Sequence, residues 1–374
     1  MRRVLLALAA LLGLSGQAHA ADAPIVDGVW QGTIGTLPVR VCLMDAGASW
    51  PHGSYYYLSQ LKPIPLTRPE GSKEWTEDSE GKARWAIASV TAKAITGTWT
   101  DGTKSLPIKL TRVAMGDDGE LDGACNAAAF LAPRIVPAKV VPVPAKAGRF
   151  AYTKLEYRVG KSFADVDLST MQVPATRPGD AAINAALRKL IDPKAGWVDY
   201  LGCMQGSIGL SGNDGEMSMG AEPTFVSPDW IGVEVSQGGF CGGAHPYYSS
   251  EHRLFDRVSG KEVQLATWLA PKGMTAKWDA GAAYWETTLL DPLRQLVIKA
   301  MPPVEDADCA TAIAEAGSWD LALTPGGISF SPSLPHVSQG CVDSGELSFA
   351  KLAPYLSPAG KAGAARMKAA VLVP

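Results

Sequence analysis

Ala132-Pro133-Arg134-Ile135-Val136-Pro137-Ala138-Lys139-Val140-Val141-Pro142-Val143-Pro144 is the stretch on which the architecture turns. It holds four prolines and no helical periodicity. Proline fixes φ and lacks the amide donor, so such a run favours extended polyproline geometry and acts as a semi-rigid spacer. The organisation it implies is an N-terminal domain over residues 21–131, a proline-rich linker over 132–148 and a C-terminal domain over 149–374. A chain of 374 residues is long enough for two such cores.

Before this stretch the pattern is β throughout. Trp30-Gln31-Gly32-Thr33-Ile34 leads through Gly35 into Pro38-Val39-Arg40-Val41-Cys42-Leu43, where Val39, Val41 and Leu43 share one face at period two. Gly53-Ser54-Tyr55-Tyr56-Tyr57 suits a pleated sheet. Further strands are predicted over 64–67, 83–89, 95–99 and 106–111, with Asp101-Gly102 marking a hairpin turn. Short strands between glycine turns predict a small barrel or curved meander, and no helix of useful length is expected there.

After it the pattern is mixed. Asp180 to Ile191 places Ile183, Leu187, Leu190 and Ile191 on one helical face, with Pro193 and Gly196 beyond its end. A second helix is predicted over 292–301, capped by Asp291, with Leu293, Leu296, Val297 and Ala300 as its stripe. Trp230 to Ser236, Arg253 to Phe255 and Ile328 to Phe330 read as strands. The fold class expected is α+β, with an antiparallel C-terminal sheet carrying helices on one face.

The amino terminus reads as an export signal. Arg2 and Arg3 precede an apolar run from Val4 to Leu14, and Ala18-His19-Ala20 fits a small-x-small cleavage box. Residues 1–20 are therefore expected to be removed, which places the protein in the periplasm or outside the cell. The apolar run is too short to span a bilayer, and no later segment is apolar enough, so no membrane span is expected after cleavage. The full chain has formal charge −3, and the signal carries two arginines and no acid, which leaves −5 on the mature part. This mild acidity argues against nucleic acid as a partner, which calls for a basic stripe. Six cysteines, an even number, read as disulfides in an exported chain. Reading along the domains favours Cys42–Cys125, Cys203–Cys241 and Cys309–Cys341.

The search for chemistry returns no complete constellation. His245, His252 and Glu251 flank a turn that brings candidate metal ligands near one another, but their spacing matches no zinc pattern. A structural role is the expectation, with no metal and no cofactor. Cys341-Val342-Asp343-Ser344-Gly345 resembles the nucleophile segment of trypsin-like proteases, but Glu346 stands where a second glycine is needed and no base can be assigned. Gly206 to Gly212 lacks the spacing of a nucleophile elbow. The acidic turns 116–123 and 213–216 depart from an EF-hand loop and read as solvated loops. Eleven tryptophans raise a carbohydrate platform, yet Trp30 and Trp99 lie in strand patterns and are expected in the core.

The most distinctive string is Gly239-Phe240-Cys241-Gly242-Gly243-Ala244-His245-Pro246, followed by Phe255-Asp256-Arg257-Val258-Ser259-Gly260-Lys261-Glu262-Val263-Gln264-Leu265. This pairing resembles a family of bacterial extracytoplasmic domains. Its members include the outer domain of lysozyme-sensing anti-sigma factors and an accessory domain of secreted peptidoglycan deacetylases. The likeness runs from about Phe150 to the C-terminus. It takes in Val173-Pro174 with Ala182-Ile183-Asn184, Leu323 to Phe330, and Leu352-Ala353-Pro354-Tyr355-Leu356. The N-terminal strands are similar to small β domains that precede this module in other periplasmic proteins. The deacetylase's metal motifs and the anti-sigma factor's membrane helix have no counterpart in this sequence. The resemblance therefore implies a non-enzymatic binding protein, with a lysozyme-type muramidase or a peptidoglycan fragment as partner. Its candidate contact residues are Gly242, Gly243, Ala244, His245, Tyr247 and Tyr248. A cell-wall glycan hydrolase with an unassigned carboxylate pair and a structural envelope protein are the alternatives.

Overall fold

The computed structural model describes residues 26–45, 51–77, 82–116, 123–192, 199–279 and 284–369. The export signal and residues 117–122 of the first acidic turn lie outside the described residues. The fold is α+β, opened by a closed antiparallel barrel.

The barrel comprises β1 (Gly28–Ile34), β2 (Leu37–Met44), β3 (His52–Tyr57), β4 (Ile64–Thr67), β5 (Glu74–Thr76), β6 (Arg84–Val90), β7 (Ala94–Thr100) and β8 (Ser105–Val113), with β8 closing on β1. Closure removes the sheet edges that would otherwise invite foreign strands. Val39, Val41 and Leu43 point inward, as the alternation predicts, and pack with Trp30, Ile34, Tyr55, Trp75 and Trp85. Trp75, Trp85 and Trp99 are register partners across three strands. At their end the Glu77 Oε1 accepts from Tyr55 Oη at 2.8 Å, Trp85 Nε1 at 3.1 Å and Trp99 Nε1 at 2.6 Å. Burial and this carboxylate raise the Tyr55 phenol well above its ordinary range. The tryptophans thus fill and hydrogen-bond the barrel.

The outward residues of the same strands are not all solvated. Val29, Cys42 and Tyr56 belong to a second core shared with the rest of the chain. Cys42 bonds Cys125 there, and α1 (Ala128–Leu131) follows, with Phe130 and Leu131 buried beside them.

The proline-rich stretch is built in rather than spanning a gap. Residues 132–134 form a 3-10 turn and Arg134 is fully buried. Residues Lys139–Ala147 then form β9, paired antiparallel with β10 (Phe150–Arg158). Residues 139–147 are extended, but they pair within the large sheet, whereas the sequence leads one to expect a semi-rigid spacer over 132–148. Pro142 and Pro144 are two apart, so their missing N–H groups fall on one side of the strand. An edge strand has one side without a partner and tolerates them.

The large sheet runs β15-β14-β13-β12-β11-β10-β9. Its remaining members are β11 (Val166–Gln172), β12 (Glu216–Val226), β13 (Trp230–Phe240), β14 (Tyr247–Asp256) and β15 (Glu262–Val263). All neighbours are antiparallel except β11 and β12, which are parallel. A parallel pair needs a crossover, supplied by α2 (Asp180–Lys189) and α3 (Tyr200–Ser211). Asn184 on α2 both accepts from Val173 N at 2.8 Å and donates to Val173 O at 2.9 Å, which ties the helix to the end of β11.

Both faces of β13 are covered. Ile231, Val233 and Val235 enter the core shared with the barrel, whereas Trp230 enters another with Leu254, Trp268 and Trp319. That last core is built from β16 (Met274–Asp279), β17 (Tyr284–Leu289), α4 (Leu293–Ala300), α5 (Ala307–Ala314), β18 (Ser318–Leu323), β19 (Gly327–Ser333), β20 (Gly345–Ser348), α6 (Phe349–Leu352) and α7 (Pro358–Ala365). α4 lies where expected, but Asp291 does not cap it. Pro292 is the N-cap and Asp291 pairs with Arg294 instead.

Candidate functional site

The string at 239–246 is the β13–β14 turn. Strand register brings Gly239 opposite Tyr247, and Cys241 bonds Cys203 on α3. Gly242 has φ +90°, and a Cβ there would stand 2.7 Å from Ser207 Cα, so only glycine passes so close to the helix. Gly243, Ala244 and His245 are exposed. Tyr247 and Tyr248 follow at the start of β14, the latter 58% exposed. All six residues singled out from the sequence therefore lie at one surface tip, four in the turn and two at the head of the strand.

A second segment completes this tip. His336–Cys341 forms a 3-10 turn held by the Cys309–Cys341 bond to α5. Its His336 ring stacks on His245, with centroids 4.5 Å apart and planes 17° from parallel. His336 Nε2 lies 3.2 Å from Pro246 O, and Gln339 Nε2 donates to Tyr248 O at 3.4 Å. Val337, between them, is 93% exposed. Two disulfides, one in each segment, thus brace a surface that presents imidazoles, tyrosines and an apolar side chain. The three bonded cysteine pairs fit an oxidising, extracytoplasmic setting.

Farther along β14 the side chains become charged. His252 Nδ1 hydrogen-bonds Asp320 Oδ2 on β18 at 2.5 Å. Burial alone would lower the imidazole. The Asp320 bond, with the Glu234 and Glu251 charges, outweighs it and raises the His252 pKa. Glu234 is the register partner of His252 and accepts from Ser250 Oγ at 2.6 Å. Arg253 is engaged by Glu262. The Glu251 side chain is exposed along most of its length. Local desolvation of its carboxyl, reinforced by Glu262 and Asp320 against the pull of Arg253, raises its pKa.

His245 and His252 do not converge. One is stacked in the turn and the other is turned toward Asp320. Among the described residues no group of three or more His, Cys, Asp and Glu side chains has the geometry to hold a metal ion. Of the acidic turns, Asp214 is engaged by the buried Arg134 guanidinium at 2.5 and 2.7 Å. Ser344, in the protease-like segment, donates its backbone N–H to Asp343 Oδ1 at 2.7 Å and follows the disulfide-anchored turn.

The second half of the distinctive pairing is turn chemistry. Asp256 Oδ1 accepts from Val258 N at 2.8 Å and Ser259 N at 3.1 Å, and Gly260 has φ +73° beneath Ala182. Arg257 forks onto the fully buried Asp180 at 2.7 and 2.8 Å. Arg366 joins Asp256 to Asp229 and lies over the Trp230 ring, 4.2 Å from its centroid. The string positions α2 and α7 against the sheet. Sequence reading missed the turn 336–341 as part of the tip and Asp320 as the partner of His252. Only long-range contacts reveal them, since they stand about seventy to ninety residues away in sequence.

No family model matches the chain, and no curated protein matches it. Two solved structures of DUF3298 family proteins are similar to it. One, from Pseudomonas aeruginosa PAO1, is 14% identical, with 60% of this chain and 95% of that chain covered and a TM-score of 0.31. The other, from Bacteroides fragilis NCTC 9343, is 11% identical, with 62% and 97% covered and a TM-score of 0.38.

Proposed function

We propose that this chain is a non-enzymatic periplasmic or secreted recognition protein. Its partner is a lysozyme-type muramidase or a cell-wall glycan, and its contact surface is the tip formed by residues 241–248 and 336–341. The observation that carries this reading is the doubly braced tip itself. Each of two exposed segments is anchored by its own disulfide, the two meet through the His245–His336 stack, and a pre-ordered surface loses less entropy on binding. Tyrosine supplies large contact area from few torsions, which suits Tyr247 and Tyr248 to such a role. The resemblance of the string Gly239 to Pro246 to lysozyme-sensing modules supports the muramidase. The acidity of the mature chain favours encounter with a basic protein at low salt.

Titration calorimetry with several purified lysozymes and with soluble peptidoglycan fragments, at low and moderate salt, tests the reading. Binding that weakens at least tenfold on Tyr248→Ala is the expected result. Absence of heat for every lysozyme and fragment at both salts would remove it. Release of new reducing ends from peptidoglycan by the purified protein would favour the hydrolase alternative instead.

A further inference from the structure

The large sheet ends in an unequal way. β9 closes one side and carries Pro142 and Pro144. At the other side β15 covers β14 only at Leu254 and Phe255. Among the described residues, no strand pairs with the outer edge of β14 from Tyr247 to Arg253. The direction of its backbone groups follows from the flanks. Asp256 N donates toward β15, to Lys261 O at 2.9 Å, and Arg257 N donates the other way, to Asp229 O at 2.8 Å. Strand alternation then directs the amides and carbonyls of Leu254, His252, Ser250 and Tyr248 outward. The turn 336–341 confirms this direction: its His336 and Gln339 side chains reach Pro246 O and Tyr248 O. Beyond them Ser250 is exposed and His252 half-buried.

We propose that the β14 edge from Tyr248 to His252 is a docking site for an extended, basic segment of a partner protein, which adds to the large sheet as a further strand. The inference rests on the reading of this region as a recognition surface and narrows the partner to a polypeptide. Two features select the occupant. An open edge offers main-chain hydrogen bonds that a polypeptide satisfies along its length and a glycan does not. The carboxylates beside the edge are Glu234, Glu251, Glu262 and Asp320, opposed by Arg253 and His252. Glu251 is exposed on the margin and among the described residues makes no ion pair; a lysine or arginine on the incoming strand pairs with it. The 3.4 Å Gln339 contact at Tyr248 O is long and is exchanged for an amide of the incoming chain.

The test uses the full-length mature protein and two synthetic heptapeptides, Lys-Val-Lys-Val-Lys-Val-Lys and Glu-Val-Glu-Val-Glu-Val-Glu. Affinity is read by calorimetry and location by amide chemical shifts. The basic peptide is expected to bind and to shift the amides of residues 248–252, and the acidic one to bind at least tenfold more weakly. Ser250→Pro removes an outward N–H that the fold does not use. It also removes the exposed Ser250 Oγ bond to Glu234, so Ser250→Ala is the control. Relative to that control, Ser250→Pro is expected to keep the same melting temperature and to weaken the basic peptide about tenfold. Glu251→Lys is expected to weaken it similarly. Equal affinity of wild type and both variants, equal affinity for the two peptides, or shifts confined to other strands would overturn the proposal. A lysozyme that binds wild type and Ser250→Pro equally would also overturn strand docking while leaving the recognition reading intact.

Discussion

Arg134→Ala should cost far more than its place in a proline-rich stretch suggests. The Arg134 guanidinium donates from Nε to Leu61 O at 2.9 Å, and from Nη2 to Ser162 O at 2.6 Å. It also forks onto both Asp214 oxygens at 2.5 and 2.7 Å and lies over the Phe163 ring. It therefore stitches the barrel, the β10–β11 connection and the α3–β12 turn at one point. Its side chain is 0% exposed and that of Asp214 is 20% exposed. Breaking a buried pair by removing one partner costs about 3–5 kcal/mol. The orphaned carbonyls add to this, and water entering the vacated space offsets part of their cost. A loss of about 4 kcal/mol corresponds to a melting temperature roughly 10 °C lower for a cooperative unit of 150–250 residues. Chemical denaturation followed by circular dichroism and tryptophan fluorescence measures it, with Arg134→Lys as the variant that keeps charge but loses the fork. Asp214→Asn supplies the second leg of a double-mutant cycle, and the double variant should lose less than the sum of the single losses. A loss below about 1 kcal/mol, the range of a surface pair, would refute the assignment of Arg134 as an interior tie.

Asp320→Asn should destabilise in a pH-dependent way. The folded-state pKa of His252 is raised, so the bond to Asp320 contributes fully below the ordinary histidine pKa and fades as pH rises through the raised value. Denaturation from pH 5.5 to 8.5 should show the wild-type advantage shrinking with pH, and a growing advantage would contradict it. Gly360→Ala should lower the melting temperature, because a Cβ there would meet Trp268 O at 2.1 Å. Forced overpacking of this kind costs about 1–3 kcal/mol, and an unchanged thermal transition would count against the packing of α7 described above. Digestion of the unreduced protein should yield peptides joined as Cys42–Cys125, Cys203–Cys241 and Cys309–Cys341. Replacing Cys203 and Cys241 by serine, which opens a loop with a sequence separation of 38, should cost about 4 kcal/mol by chain entropy. Any other connectivity in the mass spectra would contradict the tip geometry.

The barrel was legible because its strands alternate strongly. Val39, Val41 and Leu43 have one destination, and glycine turns separate the strands at short spacing. β5 was not legible, since Glu74-Trp75-Thr76 is too short to show a period. α3 escaped for a different reason. Its residues are rich in glycine and serine, and its apolar side chains are spread around the axis rather than gathered in a stripe. The environment explains this. The helix meets β3 of the barrel on one side and β12 on another. Its last turn receives the His52 imidazole, whose Nε2 lies 2.6 Å from Gly209 O. At Gly209 a Cβ would stand 1.3 Å from Asn126 Oδ1, so the glycines record close packing rather than a turn. The caps were nonetheless written in the sequence, with Asp199 accepting from Gly202 N and Gly212 at φ +75°. The proline-rich stretch misled because proline excludes a central strand but not an edge one. The candidate tip was half legible: the turn Gly242 to His245 is local, whereas its partner His336 is set by tertiary packing alone.

The two margins of the large sheet support a difference in role. β9 carries Pro142 and Pro144 as well as Lys139 and Lys146, features that blunt an edge against foreign strands. The barrel disposes of its edges by closure. β14 has neither protection over Tyr247 to Glu251, and its covering turn contributes two side chains rather than a strand. An exposed hydrogen-bonding edge of this kind incurs an aggregation hazard. The exposed Glu251 carboxylates reduce the hazard by repelling a second copy, since two β14 edges paired antiparallel would bring them close together. The same charges attract a basic strand. Repulsion of self and attraction of an unlike partner thus follow from one set of residues, which is the physical form that selectivity takes at an open edge.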